Sequence, residues 1–228
     1  MNLSIRDAAS LLGVSEETVF ELARHGDIPH ARINDQYRFD KIELLDWATS
    51  RRMPVDPALL LEADGVMPSL SDSLDAGGIF YSVGGGDLKG VFECVVKLLR
   101  LPEQVDRDYL LQILLAREAS GTTGVGDGIA VPHTRSPIVL RIGRPTVTLC
   151  FLAEPVDFNA PDKKPVHTLF TIIGATVRTH LHLLSRIAWC LHDVELRGLI
   201  EAKADARALL DGFRRVEDSI AARSGGAK

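Results

Sequence analysis

A glycine-rich stretch that ends in a histidine, residues 117–134, constrains the fold of this chain more than any other feature. Three glycines occupy alternate positions within it: Gly124, Gly126 and Gly128. Glycine reaches positive φ freely, and turns of that kind let successive N–H groups converge on one anion. The apolar residues 129–131 suffice for one buried strand, which Pro132 ends because it lacks a ladder donor. We therefore expect His133 at an exposed strand end, where a rigid scaffold holds a side chain ready for chemistry.

His133 and Arg117 give this stretch its chemical character. A neutral imidazole can attack phosphorus, and the ordinary pKa of histidine keeps much of the side chain neutral near pH 7. Arg117 offers a planar fork of N–H donors that suits phosphoryl oxygens. Glycine-rich turns and histidines after strands are each common, so only their ordered combination indicates phosphoryl chemistry.

The ordered combination resembles the active-site signature of the enzyme IIA components of the bacterial phosphoenolpyruvate-dependent phosphotransferase system. The matching branch is the mannitol/fructose type, which includes the nitrogen-regulatory IIA proteins. Its pattern runs Arg-Glu, then Ser/Thr-Thr-Gly, then Gly-x-Gly-Ile-Ala-x-Pro-His. The final histidine of that pattern is phosphorylated, and here it is His133. The resemblance thus implies His133 as nucleophile and Arg117 as stabiliser of phosphoryl charge. The phosphate-binding backbone is expected at Thr123, Gly124, Gly126 and Gly128.

The composition is ordinary for a globular protein of one or two domains, with 228 residues and 25% charged side chains. No apolar run approaches the roughly 20 residues that cross a bilayer, and the N-terminus lacks a signal-peptide layout. We therefore expect a cytoplasmic protein without a membrane partner. Three scattered cysteines form no Cys-x-x-Cys pair, so neither a metal site nor a disulfide framework is indicated, and we expect no cofactor. The net charge of −5 weighs mildly against nucleic acid as a partner.

Residues 1–52 form a first unit in which two helices, a hairpin and a third helix follow one another. Gly13 suits a left-handed cap of the first helix, and Ser15 suits the N-cap of the second. The hairpin has Asn34 and Asp35 at its tip, and Asp40 then caps the third helix. This order predicts a helix-turn-helix with a wing.

The first unit resembles the excisionase-type DNA-binding family, which is related to the MerR regulators. The matching positions are Ala8-Ala9-x-Leu11-Leu12-Gly13-Val14-Ser15, Thr18-Val19, Gly26-x-Ile28-Pro29, Tyr37-Arg38-Phe39 and Leu45-x-Trp47. One departure concerns the second helix, which carries Glu16, Glu17 and Glu21, with only Arg24 basic. Carboxylates that face phosphates forfeit the counterion release that dominates affinity for DNA. We expect weak DNA binding through Arg24, Arg32 and Arg38; the alternative is a module for protein contacts or dimerisation.

Residues 53–67 read as a linker, in which Pro54 and Pro57 block helix continuation and residues 58–62 could form a short helical connector. From 68 to 223 helix and strand patterns alternate, which predicts an α/β domain with a central mixed β-sheet flanked by helices. Strand candidates are 79–83, 129–131, 138–142, 146–153 and 168–175. Helices are predicted after Asp87 and Asp106, over 180–191, and near 194–202 and 205–214, with a flexible tail at 224–228.

The IIA resemblance covers this whole second unit. It includes Ser71-Asp72-x-Leu74, Pro155-Val156-Asp157-Phe158, Val166-His167-Thr168-Leu169-Phe170 and His180-Leu181-x-x-Leu184. The family keeps a second active-site histidine in the last of these motifs, and the resemblance implies His180 for that role. An imidazole there can share phosphoryl charge or set the tautomer of His133. We expect His182, two residues on, to be a surface group.

The leading hypothesis is a regulatory phosphoryl carrier that takes its phosphoryl group from the histidine-containing phosphocarrier protein of the phosphotransferase system. The fused helix-turn-helix and the lack of a IIB-like segment favour regulation of a target protein over sugar uptake. One alternative is a sugar-transport IIA component that passes the phosphoryl group to a IIB protein. The other is a DNA-binding transcription regulator whose IIA-like domain senses phosphorylation.

Overall fold

The computed structural model describes residues 2–33, 36–51, 53, 67–134, 144–174 and 176–225. The first unit contains three helices: α1 (Ile5–Leu12), α2 (Glu16–His25) and α3 (Lys41–Ser50). Its three strands are β1 (Asn2–Leu3), β2 (Ala31–Ile33) and β3 (Gln36–Asp40), in the antiparallel order β1-β3-β2. The predicted hairpin is present, and β1, which the sequence did not predict, extends it by pairing with β3.

Local caps define the helices of the first unit as predicted. Ser15 accepts the N–H of Thr18, and Asp40 accepts those of Ile42 and Glu43. Gly13 ends α1 in the left-handed conformation, with φ of 65°. These short-range hydrogen bonds fix the turns that orient α1, α2 and α3 relative to one another.

The second unit is an α/β domain, as predicted. Its strands are β4 (Ile79–Val83), β5 (Gly124–Gly126), β6 (Ile129–Ala130), β7 (Thr146–Val156) and β8 (Val166–Ile173). Its helices are α4 (Leu70–Gly77), α5 (Leu88–Leu98), α6 (Arg107–Ala119), α7 (Val177–Cys190), α8 (Val194–Glu201) and α9 (Ala206–Gly225). The sheet order is β4-β7-β8-β6-β5, with parallel β4–β7 and β6–β8 pairs and antiparallel β7–β8 and β5–β6 pairs.

Alternation along the two long central strands divides the core between the faces of the sheet. On β7, Leu149 and Phe151 belong to one apolar cluster, whereas Cys150 and Leu152 belong to the other. The first cluster includes buried residues of α4, α7, α8 and α9; the second includes those of α5 and α6. The domain is therefore a helix–sheet–helix sandwich.

The first unit packs on the second through α3, which contacts α7 and β5. Buried residues of α1, α2 and α3 belong to the same apolar cluster as those of α4 and α7. This placement brings the C-terminal turn of α3 to the site described below. In the described ranges no helix is long and apolar enough to span a bilayer.

Several boundaries differ from prediction. The helix α4 was not predicted, α7 begins three residues earlier than expected, and β5 is a strand where a loop was expected. The last helix runs to Gly225 instead of ending near 214, so the predicted flexible tail at 224–228 is wrong at its first two residues. The strand candidate at 138–142, the connector at 58–62 and the hairpin tip at 34–35 lie outside the described residues.

Candidate active site

His133 lies three residues after the end of β6 and forms an isolated parallel bridge with Ile172 of β8. The N–H of Ile172 donates to the carbonyl of Pro132, which fixes the chain just before the histidine. Only 3% of His133 is exposed, so the prediction of an exposed strand end is wrong. The reason lies in neighbouring elements: Thr49 of α3 and Leu184 of α7 line the same small cavity as His133.

Hydrogen bonds assign the tautomer of His133. Its Nδ1 lies 2.8 Å from the carbonyl oxygen of Val131. Because a carbonyl can only accept, Nδ1 carries the proton and donates it. The Nε of Arg117 donates to Nε2 of His133 over 3.2 Å, so Nε2 must present its lone pair. These contacts therefore assign the proton to Nδ1 and the lone pair to Nε2.

Arg117 is held in the last turn of α6, where it is 8% exposed. Its Nη1 donates to the carbonyl of Gly121 over 2.7 Å, in addition to the Nε contact with His133. A guanidinium anchored in this way places fixed positive charge at Nε2 of His133. The structure thus brings Arg117 to the position that its predicted role requires.

His180 lies in the first turn of α7 and is 1% exposed. The His133 and His180 rings lie 5.0 Å apart between centroids, at an angle of 51°. Gly174, just after β8, lets α7 lie close to the end of that strand, because a Cβ there would lie 3.1 Å from the Cβ of His180. The two imidazoles that the resemblance singled out are therefore neighbours.

Glu118 belongs to the site although we did not predict it. Its carboxylate is 8% exposed and accepts both the N–H and the hydroxyl of Thr123, at 2.9 Å and 2.5 Å. Thr123 in turn lines the cavity at His133. The signal was available in the Arg-Glu pair of the motif, in which the glutamate follows Arg117 directly.

The glycine turn forms the tip of the β5–β6 hairpin. Gly126 and Gly128, with φ of 87° and 70°, flank Asp127 in the turn of the β5–β6 hairpin. A Cβ on Gly128 would lie 2.2 Å from Nε2 of His167, so a larger residue would require the His167 ring to move and would itself adopt a strained positive φ. The N–H groups of Gly124 and Asp127 donate to Thr122 Oγ1 and Asp162 Oδ2 within the chain.

The four residues predicted to bind phosphate, Thr123, Gly124, Gly126 and Gly128, do not all lie at one place. Thr123 lines the cavity at His133, whereas Gly126 lines a second cavity beside Asp127 and Arg197. Gly124 and Gly128 serve the conformation and close packing of the hairpin. The N–H groups of Gly124 and Asp127 are bonded within the chain, and phosphate binding by this set stays a prediction.

The predicted DNA-binding arginines lie on the surface of the first unit. Arg24 donates to the carboxylate of Glu21 over 2.6 Å, and Arg38 to the side-chain carbonyl of Gln36 over 2.5 Å. Arg32 lies 6.0 Å from the ring centroid of Tyr37. Arg6, which sequence reasoning overlooked, lines the same shallow groove as Arg32 and Arg38.

His182 is not the surface group that was predicted. It is 3% exposed, and its Nε2 lies 3.0 Å from the carbonyl of Pro68, to which it donates. Burial lowers the pKa of His182 to about 4, and the nearby charge of Arg186 contributes in the same direction. His182 is therefore a neutral structural residue near pH 7. Among the described residues, no group of three or more His, Cys, Asp or Glu side chains is placed to hold a metal ion.

A mixed sheet that brings a buried His–Arg–His arrangement to one strand end defines a phosphotransferase-type IIA domain. The chain belongs to the family described as "Phosphoenolpyruvate-dependent sugar phosphotransferase system, EIIA 2", whose model matches residues 73–215. A "Helix-turn-helix domain" model matches residues 3–52. Both resemblances seen in the sequence are thereby confirmed.

Relatives of two kinds match this chain. The "Nitrogen regulatory protein" of Pseudomonas aeruginosa is 36% identical over 147 residues, which cover 63% of this chain and 93% of that protein. The "PTS system fructose-specific EIIA component" of Haloferax volcanii is 41% identical over 102 residues, 43% of this chain and 64% of that protein. The crystal structure of "Nitrogen Regulatory Protein IIA-Ntr" from Neisseria meningitidis superposes with a TM-score of 0.55 at 28% identity, covering 63% of this chain and 98% of that one.

Proposed function

We propose that this protein is a regulatory phosphoryl carrier, which accepts a phosphoryl group on Nε2 of His133 from the histidine-containing phosphocarrier protein. One observation carries the proposal: Val131 holds the proton on Nδ1 while Arg117 is directed at Nε2. A neutral imidazole with a fixed tautomer and an adjacent cation is prepared to attack phosphorus.

The transfer is an in-line displacement between two imidazoles. The P–N bond to the donor's histidine breaks as a bond forms from phosphorus to Nε2 of His133, and the electron pair returns to the donor's ring. Positive charge develops on the His133 ring, and the Val131 carbonyl, 2.8 Å from Nδ1, stabilises it. Positioning and charge stabilisation supply most of the rate enhancement in phosphoryl transfer.

Arg117 and His180 assist by stabilising the transferred group. As the bond to phosphorus forms, the N–H donors of Arg117 change partner from the Nε2 lone pair to the phosphoryl oxygens. They can do so because the phosphoryl group is attached at Nε2 and its oxygens lie beside the guanidinium. The ring of His180, 5.0 Å from that of His133 between centroids, is close enough to share a phosphoryl group with it. Glu118 acts on the site through Thr123 and is a positioning residue.

Regulation is favoured over sugar transport by the helix-turn-helix unit joined to the IIA domain. The named function of the Pseudomonas aeruginosa relative, whose length is 93% covered, points in the same direction. A sugar-transport IIA component that passes the phosphoryl group to a IIB protein is the second candidate, supported by the fructose-specific relative from Haloferax volcanii. Both candidates place the protein in the cytoplasm, where the donor acts.

The test is phosphorylation with phosphoenolpyruvate, enzyme I and the phosphocarrier protein. We expect one acid-labile phosphoryl group on the wild-type protein and none on His133→Ala, with the circular dichroism of the variant unchanged. His30→Ala, which removes an exposed histidine of the first unit, is the matched control and keeps its label. Undiminished labelling of His133→Ala would contradict the assignment. Transfer onward to a purified IIB protein would decide for the second candidate.

A further inference from the structure

The face of the IIA domain around His133 is occupied by α3 of the same chain. Thr49, in the last turn of α3 and 6% exposed, lines the cavity that also contains Arg117 and His133. The helix packs against α7, which carries His180, and against β5. With α3 in this position, the two histidines are 3% and 1% exposed. A phosphoryl donor protein cannot reach Nε2 of His133 in this arrangement.

The space left beside His133 is too small for a phosphoryl group. The cavity beside His133 has a volume of about 10 Å³, which is room for about one water molecule. A phosphoryl group adds a phosphorus and three oxygens that carry negative charge near pH 7. A phosphoryl group on His133 and α3 in its docked position therefore exclude each other.

The part of α3 that borders the cavity is its C-terminal turn, through Thr49. A phosphoryl group on His133 would therefore clash with this turn.

We infer that the face around His133 binds one partner at a time, either α3 of this chain or the phosphocarrier protein. The inference rests on the proposed function and adds a regulation of the same site. Phosphorylation releases α3 and with it the helix-turn-helix unit; docking of α3 protects His133 from the donor. Because coupling is reciprocal, the factor by which phosphorylation weakens docking equals the factor by which docking disfavours phosphorylation.

Chemical labelling tests whether α3 shields His133 from solvent, and it does not require phosphotransfer. Diethyl pyrocarbonate acylates an accessible unprotonated imidazole nitrogen, and peptide mass spectrometry reports the rate at His133. Thr49→Arg places a long side chain under α3, and Thr18→Arg, at an exposed threonine of the same unit, is the matched control. We expect Thr49→Arg to be labelled at His133 at least about tenfold faster than the wild type, and Thr18→Arg at the wild-type rate.

Labelling of Thr49→Arg at the wild-type rate would overturn the inference. Circular dichroism checks that the variant is folded; if it is not, Thr49→Gln adds bulk without charge and is compared with Thr18→Gln in the same way.

Hydrogen exchange on the full chain gives the second measurement. In wild-type protein whose phosphorylation is verified by intact mass, we expect faster amide exchange in residues 41–50 and 124–126. His133→Gln, treated with the same reagents, shows no change. A phosphorylated protein with unchanged exchange would refute the release of α3 while leaving the proposed function intact. If neither the wild type nor Thr49→Arg is phosphorylated, the proposed function fails, and the labelling rates still decide whether α3 covers His133.

Discussion

At the scale of single residues, burial has different consequences for His133, which lies just beyond β6, and for His182 of α7. His133 is buried against Arg117 and Val131, whose contacts hold one tautomer with the lone pair on Nε2. His182 is buried against Pro68, and its Nδ1 has no hydrogen-bond partner. The sequence suggested a surface position for His182 because α7 was treated as amphipathic. Residues on nearly all sides of this helix are buried, since it packs against the sheet, α3, α4 and α9.

We predict that His182 makes the fold less stable in mild acid. Its pKa is about 4 in the folded state against 6.5 ordinarily, so below pH 6.5 the unfolded chain binds the proton more readily. Its contribution is therefore fully present above pH 6.5 and is lost as the pH falls from 6.5 towards 4. Between pH 7.5 and pH 5, wild-type protein should lose about 2 kcal/mol more unfolding free energy than His182→Gln. Urea titrations of both proteins at the two pH values measure this, and equal losses would contradict it.

At the scale of elements, the sequence predicted best the helices that begin at a local cap. Ser15, Asp40, Asp87 and Asp106 each accept an N–H of the turn that follows. Such a signal is contained within four residues, so it is visible without knowledge of the fold. The strands β4 and β7 were predictable for a similar reason, because their apolar runs are long enough to stand out.

The helix α4 was missed although Ser69 caps it locally by accepting the N–H of Asp72; two further contacts come from far away in the chain. Glu217 of α9 accepts the N–H groups of Leu70 and Ser71 at 2.6 Å and 3.0 Å, and the hydroxyl of Ser71 at 2.9 Å. Its carboxylate thus occupies the N-terminus of α4, where negative charge is favoured. Gly77, at the other end, lies so close to β7 that a Cβ would be 2.2 Å from the Val147 carbonyl. Neither contact leaves a trace in the local sequence.

We predict that Glu217→Ala destabilises the protein by about 2–3 kcal/mol, because three buried donors lose a charged acceptor. Asp218→Ala, at the exposed neighbouring position of α9, is the control and should change stability by less than about 0.5 kcal/mol. Urea denaturation followed by circular dichroism measures both. Equal effects of the two substitutions would show that Glu217 does not stabilise α4 in this way.

At the scale of the whole molecule, the docked first unit presents two faces of different character. One face, at α3, covers His133, whereas α2 and the hairpin point to the surface with exposed Glu16, Glu17 and Arg32. The sequence could predict each unit and the His–Arg–His set, because motifs carry them. The sequence could not predict that Thr49 of α3 packs at the His133 cavity, because local patterns do not encode how two units pack together.

We predict weak DNA binding by the unmodified protein, because the acidic side chains of α2 oppose the arginines of the hairpin. A titration of residues 1–228 with genomic fragments should give a Kd no tighter than about 10⁻⁵ M at physiological salt, weakening further as salt rises. Arg32→Ala should reduce the residual binding, whereas Arg214→Ala on α9 should not. Tight, sequence-specific binding without phosphorylation would refute this prediction. Absence of binding in any state would favour a protein-interaction module.

The central claim for the whole molecule is that the phosphoryl group is carried on Nε2 of His133. It follows from the proton that Nδ1 donates to the Val131 carbonyl, 2.8 Å away. The most direct measurement is heteronuclear NMR of protein with ¹⁵N-labelled histidine, before and after phosphorylation, with His133→Ala to assign the signals. We predict a neutral His133 with the proton on Nδ1 in the free protein, and coupling of phosphorus to Nε2 in the phosphorylated protein. A phosphoryl group on Nδ1 of His133, or on another residue, would contradict the account.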